Sequence, residues 1–381
     1  MTYRPEANWL EKYNRWQLNA YNEAGARKTF TSNTPGRTGK RMCQDKADEW
    51  IRLGTISASS KLSTYLDNYI LFQKQYATKS DYRPRYTHVE NHIRPLVGNK
   101  KLSLITEADW ESVLRRSAKE GLSHKYISNI RSTIIHFCKY AKKRKFLSSI
   151  PEIDCNVFKN APKGKRRILQ PQDLKILFSP DHISYLFNRN EIECRNIYLF
   201  RTYVLSGFRP GEAIGMLRKN IDFEKHSITV SQAINYYGEI TPGKTDNAQR
   251  TICMMPQLEA VLLDQLNYTA HITSDYVFPD QNKGRIGFPL RQNQVYKDWR
   301  KWANHNISSY CSLYELRHTL YSYAKDHISE ERLKEYFGHT ESMNSSEVYG
   351  HAIFIELERT AQMMTKVFEN LLPENSEQMN T

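Results

Sequence analysis

Residues 193–217 read ECRNIYLFRTYVLSGFRPGEAIGML. The stretch up to Phe208 is apolar almost throughout and predicts a long buried helix. Gly207 and Pro210 then break that helix and start another, which leaves Arg209 at a corner near the new N-terminus, a favourable place for an anion. Glu212, three residues on, is placed to turn back and fix the guanidinium. Taken alone, the segment would also suit an ordinary exposed arginine at a helix cap.

Around this corner the second half of the chain is mixed. PQDLKILF, from Pro171, starts a helix. HSITVSQAINYYGEIT (226–241) and RTICMMP (250–256) alternate as strands flanking the turn GKTDNAQ (243–249), and from PQLEAVLLDQL (256–266) onward the pattern is mostly helical. LYELRHTLYSYA (313–324) is an apolar helix carrying Arg317, a charge that needs a partner or a ligand there. Glu315 is a poor partner, because residues two apart on a helix point to different faces.

The first half is organised differently. YNRWQLNAYNE (13–23) and ARKTFTSN (26–33) predict a hairpin turning at Ala24-Gly25, PGRTGK (35–40) breaks the chain, and QDKADEWIRLG (44–54) predicts a helix with Ala47, Trp50 and Ile51 inward. Residues 60–148 read as four helices, the last of them long and basic with Ile127, Ile130, Ile134, Ile135 and Cys138 on its apolar side. SSIPEIDCNVFKNAPKGKRRIL (148–169) has no amphipathic period and predicts a solvated cationic linker.

Charge narrows the function. The formal net charge is +14, and residues 121–170 alone hold twelve Lys or Arg against two acids. So uneven a spread points to a polyanionic partner, nucleic acid, over a merely solvated basic face. The six cysteines contain no CxxC pair, and several lie among apolar neighbours, as in HFCKY and RTICMM, which predicts small buried thiols in a reducing compartment. The N-terminus has no apolar signal core and no run approaches eighteen apolar residues, so the expected location is cytoplasmic and nucleoid-associated, away from membranes. His88 and His92 in HVENH are four apart, but no third ligand accompanies them, so neither metal nor cofactor is expected.

The order Arg209, Lys244, Arg317, His339, Tyr349, with ten residues from His339 to Tyr349, resembles the tyrosine recombinase (phage-type integrase) family over the whole C-terminal half. The resemblance implies a mainly α fold with small antiparallel β-sheets. It divides the chain into an arm-type DNA-binding module (1–57), a four-helix core-binding domain (58–150), a basic linker (151–168) and a mixed α/β catalytic domain with a tail helix (169–381). It also implies roles. Arg209 and Arg317 clamp the scissile phosphate, Lys244 acts as general acid for the leaving 5′-oxygen, His339 donates a hydrogen bond to a phosphate oxygen, and Tyr349 is the nucleophile. The family usually has His three residues before the second arginine, whereas this chain has Tyr314, a hydrogen-bond donor but a poor base near pH 7. The implied partners are double-stranded DNA, a homotetramer assembled through the tail (351–372, which could equally pack on its own body), and DNA-bending or excision factors. A Xer-like dimer resolvase, a type IB topoisomerase and a catalytically impaired DNA-binding protein stand as alternatives.

Overall fold

Period-two alternation in the N-terminal strands brings Leu18 opposite Phe30 on one face of an antiparallel sheet. The computed structural model describes residues 6–21, 27–54, 60–187, 190–241, 250–308, 310–338 and 354–373. Two units emerge, Met1–Gly164 and Lys165–Thr381.

In the first unit, β1 (Asn8–Leu10), β2 (Arg15–Tyr21) and β3 (Arg27–Ser32) form a sheet in that order, one strand more than the expected hairpin. Helix α1 (Gly36–Gly54) covers it, burying Cys43 and Ala47 against Leu18, Ala20 and Phe30. The helix starts eight residues before the expected Gln44. Pro35 and Gly36 lie at its entry, where no intrahelical N–H bond is lost, so they admit the helix instead of breaking it. Gly39 is tolerated because the backbone oxygen of Thr34 and the Trp16 ring leave no room for a Cβ.

Helices α2 (Leu62–Tyr76), α3 (Lys79–His88), α4 (Arg94–Val97), α5 (Glu107–Lys119) and α6 (His124–Lys143) enclose a second core around Tyr69, Trp110, Ile130, Ile134 and Phe137. A π turn, Val89–Ile93, joins α3 to α4. Pro95 follows it; the ring has no N–H and crowds the carbonyl four residues back, and the widened turn relieves that crowding. His88 Nδ1 lies 2.8 Å from Thr133 Oγ1, and His92 Nε2 lies 3.4 Å from the Tyr126 hydroxyl. The segment expected as linker is ordered in its first part, since Ile153, Phe158 and Ala161 are buried in this core.

The second unit begins with α7 (Pro171–Phe178) and a hairpin of β4 (Ser184–Phe187) and β5 (Asn190–Glu193) that the sequence reading did not foresee. Helix α8 (Ile197–Ser206) follows, and every residue from Leu199 to Ser206 is buried. It is the central helix, and α9 (Pro210–Ile214) leaves it at the Gly207–Arg209 corner. The expected long strand 226–241 splits. Between β6 (Ile221–Asp222) and β7 (Ser227–Val230) on one side, and a small hairpin of β8 (Ala233–Ile234) and β9 (Ile240–Thr241) on the other, the chain turns. The Asn235 side chain accepts from the Tyr237 and Glu239 N–H groups and Gly238 takes a positive φ, which closes that hairpin early. Strand β10 (Arg250–Cys253) returns to β7 with Arg250 opposite Val230.

Helices α10 (Pro256–Tyr268), α11 (Gln292–Asn306), α12 (Leu313–Ala324), α13 (Glu330–Phe337) and α14 (Phe354–Glu369) complete the unit. The architecture is mainly α with small antiparallel sheets. Helix α14 packs on its own body through Ala361, Met364 and Phe368, the last edge-on to Tyr323. Among the described residues no helix is long and apolar enough to cross a membrane.

Candidate active site

Helix α8 ends at Gly207, whose φ of +62° caps it in the left-handed region. Only glycine fits: a Cβ here would lie 2.6 Å from the Phe337 ring. Two residues later Arg209 adopts an extended backbone as N-cap of α9, with Pro210 in the first helical turn. Glu212 turns back as expected. Its Oε2 accepts the Arg209 N–H at 2.9 Å and its Oε1 accepts Arg209 Nη1 at 2.6 Å.

Arg317 approaches the same corner from α12. That helix is capped reciprocally by Ser312 and Glu315. Glu315 also accepts the Arg167 N–H at 2.8 Å, so it is committed to capping and not to Arg317. The Arg317 guanidinium donates to the Gly207 carbonyl at 2.6 Å and to the Phe337 carbonyl at 2.5 Å, and lies over the Phe337 ring at 4.7 Å. Only 2% of the residue is exposed. Burial, with the Arg209 charge beside it and Arg250 further adding, lowers its pKa to about 10. It remains a cation at neutral pH.

A third arginine, one with no role expected from the sequence, completes the cluster. Arg250 opens β10, pairs with Glu212 Oε2 at 3.0 Å and donates from Nε to the Tyr336 carbonyl at 3.0 Å. A signal was there: strand alternation puts Arg250 on the same face as fully buried Ile252. Burial alone would raise the Glu212 carboxyl, but Arg250, the Arg209 N–H and the Arg209 charge outweigh it and hold the pKa below the ordinary value.

The three guanidiniums meet at the end of α13. Tyr336, Phe337 and Gly338 offer consecutive carbonyls, and Arg250, Arg317 and Arg209 take one each, the last at 3.0 Å. Carbonyls at a helix C-terminus lack intrahelical donors and sit at the negative end of the dipole, so cations are the natural cap. Three arginines against one carboxylate leave a cationic site. Arg209, with 36% of its side chain exposed, is the member open to an incoming anion.

Tyr314 lies one turn before Arg317, 44% exposed and edge-on to His318 at 5.3 Å. Burial, then Arg166 and Arg317, lower the His318 pKa, so this ring is neutral at pH 7. Lys244, His339 and Tyr349 lie outside the described residues. Of the six expected site residues, the structure therefore brings Arg209 and Arg317 into one cluster with Tyr314 beside it.

Residues 174–355 match the model of the phage integrase family. The prophage integrase IntR of Escherichia coli (strain K12) is 25% identical over 203 residues, which span 53% of this chain and 44% of that protein, less than half its length. The tyrosine recombinase XerC of Alcanivorax borkumensis is 22% identical over 270 residues, 69% of this chain and 81% of that one. In fold the chain is similar to the Tn1549 transposon integrase solved with transposon right-end DNA, at a TM-score of 0.61 and 18% identity, covering 79% of this chain and 99% of that one. It is also similar to the lambda integrase tetramer bound to a Holliday junction, at 0.55 and 16%, covering 91% and 100%.

Proposed function

We propose that the protein is a site-specific tyrosine recombinase that cuts and rejoins double-stranded DNA, integrating or excising a mobile element. The observation that carries this is the arginine cluster at the end of α13, where Arg209 and Arg317 converge from segments 108 residues apart within an integrase-family domain. Phosphodiester transfer without a metal needs cations on the phosphorane oxygens, and arginine supplies them with a planar, permanently charged fork.

In this reading the Tyr349 phenol oxygen attacks phosphorus, its proton leaving to solvent or a neighbouring base. The bond from phosphorus to the 5′-oxygen breaks, and Lys244 protonates that oxygen. A 3′-phosphotyrosyl link forms, and a 5′-hydroxyl reverses the step, so neither ATP nor metal is consumed. His339 and Tyr314 donate hydrogen bonds to the phosphate. The active form is a tetramer on two duplexes, assisted by DNA-bending or excision factors, in the nucleoid of the cytoplasm; α14 keeps its packing on its own body, so any joining of subunits by the tail falls to the residues outside that helix. The match to XerC supports a second reading, dimer resolution, with the same chemistry.

A suicide substrate bearing the core site tests the proposal. The protein should form an SDS-resistant adduct that also forms in EDTA. Tyr349→Phe should abolish the adduct and keep DNA affinity. Adduct surviving in the Phe variant, or a strict Mg²⁺ requirement, would overturn it.

A further inference from the structure

We infer that Arg250 is a positioning residue of this site, one that sets the Arg209 guanidinium through Glu212 and fixes where the chain leaves α13. The inference rests on the recombinase reading and adds to it a residue that touches no substrate.

The geometry carries it in three ways. Glu212 is a two-sided acceptor, Oε1 holding Arg209 at 2.6 Å and Oε2 holding Arg250 at 3.0 Å. With only 5% of the Glu212 side chain exposed, its charge persists because both arginines face it. Arg250 is nearly as buried, at 9%, and its Nε is spent on the Tyr336 carbonyl. One planar fork thus ties the first strand residue of β10 to the α9 corner and to the last turn of α13.

The third relationship is steric. Gly338 takes a φ of +62°, and a Cβ built there would lie 3.0 Å from Arg250 Nη1 and 3.1 Å from its Cδ. Arg250 fills the space a side chain would need, so the exit of α13 is shaped around it. That Nη1 is buried with no hydrogen-bond partner among the described residues. The side chain is therefore not placed to satisfy all its donors. Its placement serves the acid and the helix end. Arg250 also packs at 5.5 Å over the Phe208 ring, next to Arg209 in the chain. Lysine, a point charge with no fork, could reach one of Glu212 and Tyr336 but not span both.

The test is a cycle on the full-length protein. Arg250→Gln and Arg250→Lys are made alone and in an Arg209→Lys background. DNA affinity, the urea midpoint and the single-turnover rate of adduct formation are measured for each. Arg250→Gln should keep DNA affinity within about threefold and slow cleavage at least tenfold, with Arg250→Lys in between. In the Arg209→Lys background the further loss from Arg250→Gln should fall below about threefold, because the group it positions has already changed. Should Arg250→Gln unfold the chain, Arg250→Lys carries the same comparison. Losses that multiply in the double variant, or a folded Arg250→Gln that cleaves at the parent rate, overturn the assignment alone. A folded parent protein that forms no adduct on any core substrate overturns the recombinase reading, and the Arg250 role with it.

Discussion

Arg209 donates to the carbonyl of Gly338 at 3.0 Å, across 129 residues of chain. The first expected site residue is thereby fastened to the residue that precedes the fourth in sequence, His339. A corner defined by Gly and Pro and a helix end defined by its unpaired carbonyls become one object. Its tightest point is Gly207, which accepts from Arg317 and abuts Phe337.

Gly207→Ala tests that point. The substitution forces alanine into a left-handed φ and drives its Cβ to 2.6 Å from the Phe337 ring. Strain and overpacking together should cost on the order of 2–4 kcal/mol. Cleavage should fall as well, because Phe337 carries the Arg317 guanidinium over its face. A urea midpoint equal to that of the parent would show the corner is far softer than its geometry implies.

Tyr314 separates chemistry from folding. Being 44% exposed, its hydroxyl contributes little to stability, so Tyr314→Phe should move the unfolding free energy by no more than about 0.5 kcal/mol. If the hydroxyl donates to the bound phosphate, the same variant should cleave about 10²–10³-fold more slowly. Tyr314→His should keep or raise activity, since imidazole donates the same bond and moves a proton near neutral pH. Unchanged cleavage in Tyr314→Phe would assign the ring to packing against His318.

The basic run after α6 divides in two. Lys142, Lys143 and Lys145 are exposed, whereas Arg144 is ion-paired with Glu49 and stacked on Tyr140 at 3.9 Å and Phe72 at 4.5 Å. Replacing the three lysines by glutamine should flatten the salt dependence of DNA binding, by up to about one unit of slope for each phosphate left without its cation. Arg144→Ala should leave that slope alone and lower the urea midpoint instead, through the half-buried Glu49 left without its partner and the lost stacking on Tyr140 and Phe72. Equal effects of both variants on the slope would place Arg144 among the DNA-facing cations with the three lysines.

His88 links stability to pH. Burial, with His92 adding, depresses its pKa from 6.5 to about 4. The native ring stays neutral where the unfolded one takes a proton, so this contribution is intact above pH 6.5 and is lost as pH falls from 6.5 toward 4. For one proton the slope reaches about 1.4 kcal/mol per pH unit. Urea midpoints at pH 7.5, 6 and 5 should decline, and His88→Gln should make the decline shallower. A variant declining as steeply as its parent would remove His88 from the account.

Much of this protein was legible in one dimension. The helices of residues 60–148, the α8–α9 corner, the return of Glu212 to Arg209 and the inability of Glu315 to serve Arg317 all follow from local periodicity and spacing. Errors arose where local rules compete. Pro35 and Gly36 read as a break but stand at a helix entry, and 226–241 alternates like one strand but is turned by Asn235 and Gly238. Sequence also placed Arg144 among its basic neighbours, blind to the acid and rings that enclose it. Arg250 marks the deeper limit. Its two partners, Glu212 and Tyr336, lie 38 and 86 residues away, and one of them is a backbone carbonyl that no side-chain pattern records. Spacing along the chain determined which residues could be arginine corners and helix ends. Only tertiary packing decided that three arginines would share three consecutive carbonyls, because a buried cation is satisfied by whichever oxygens the fold brings to it.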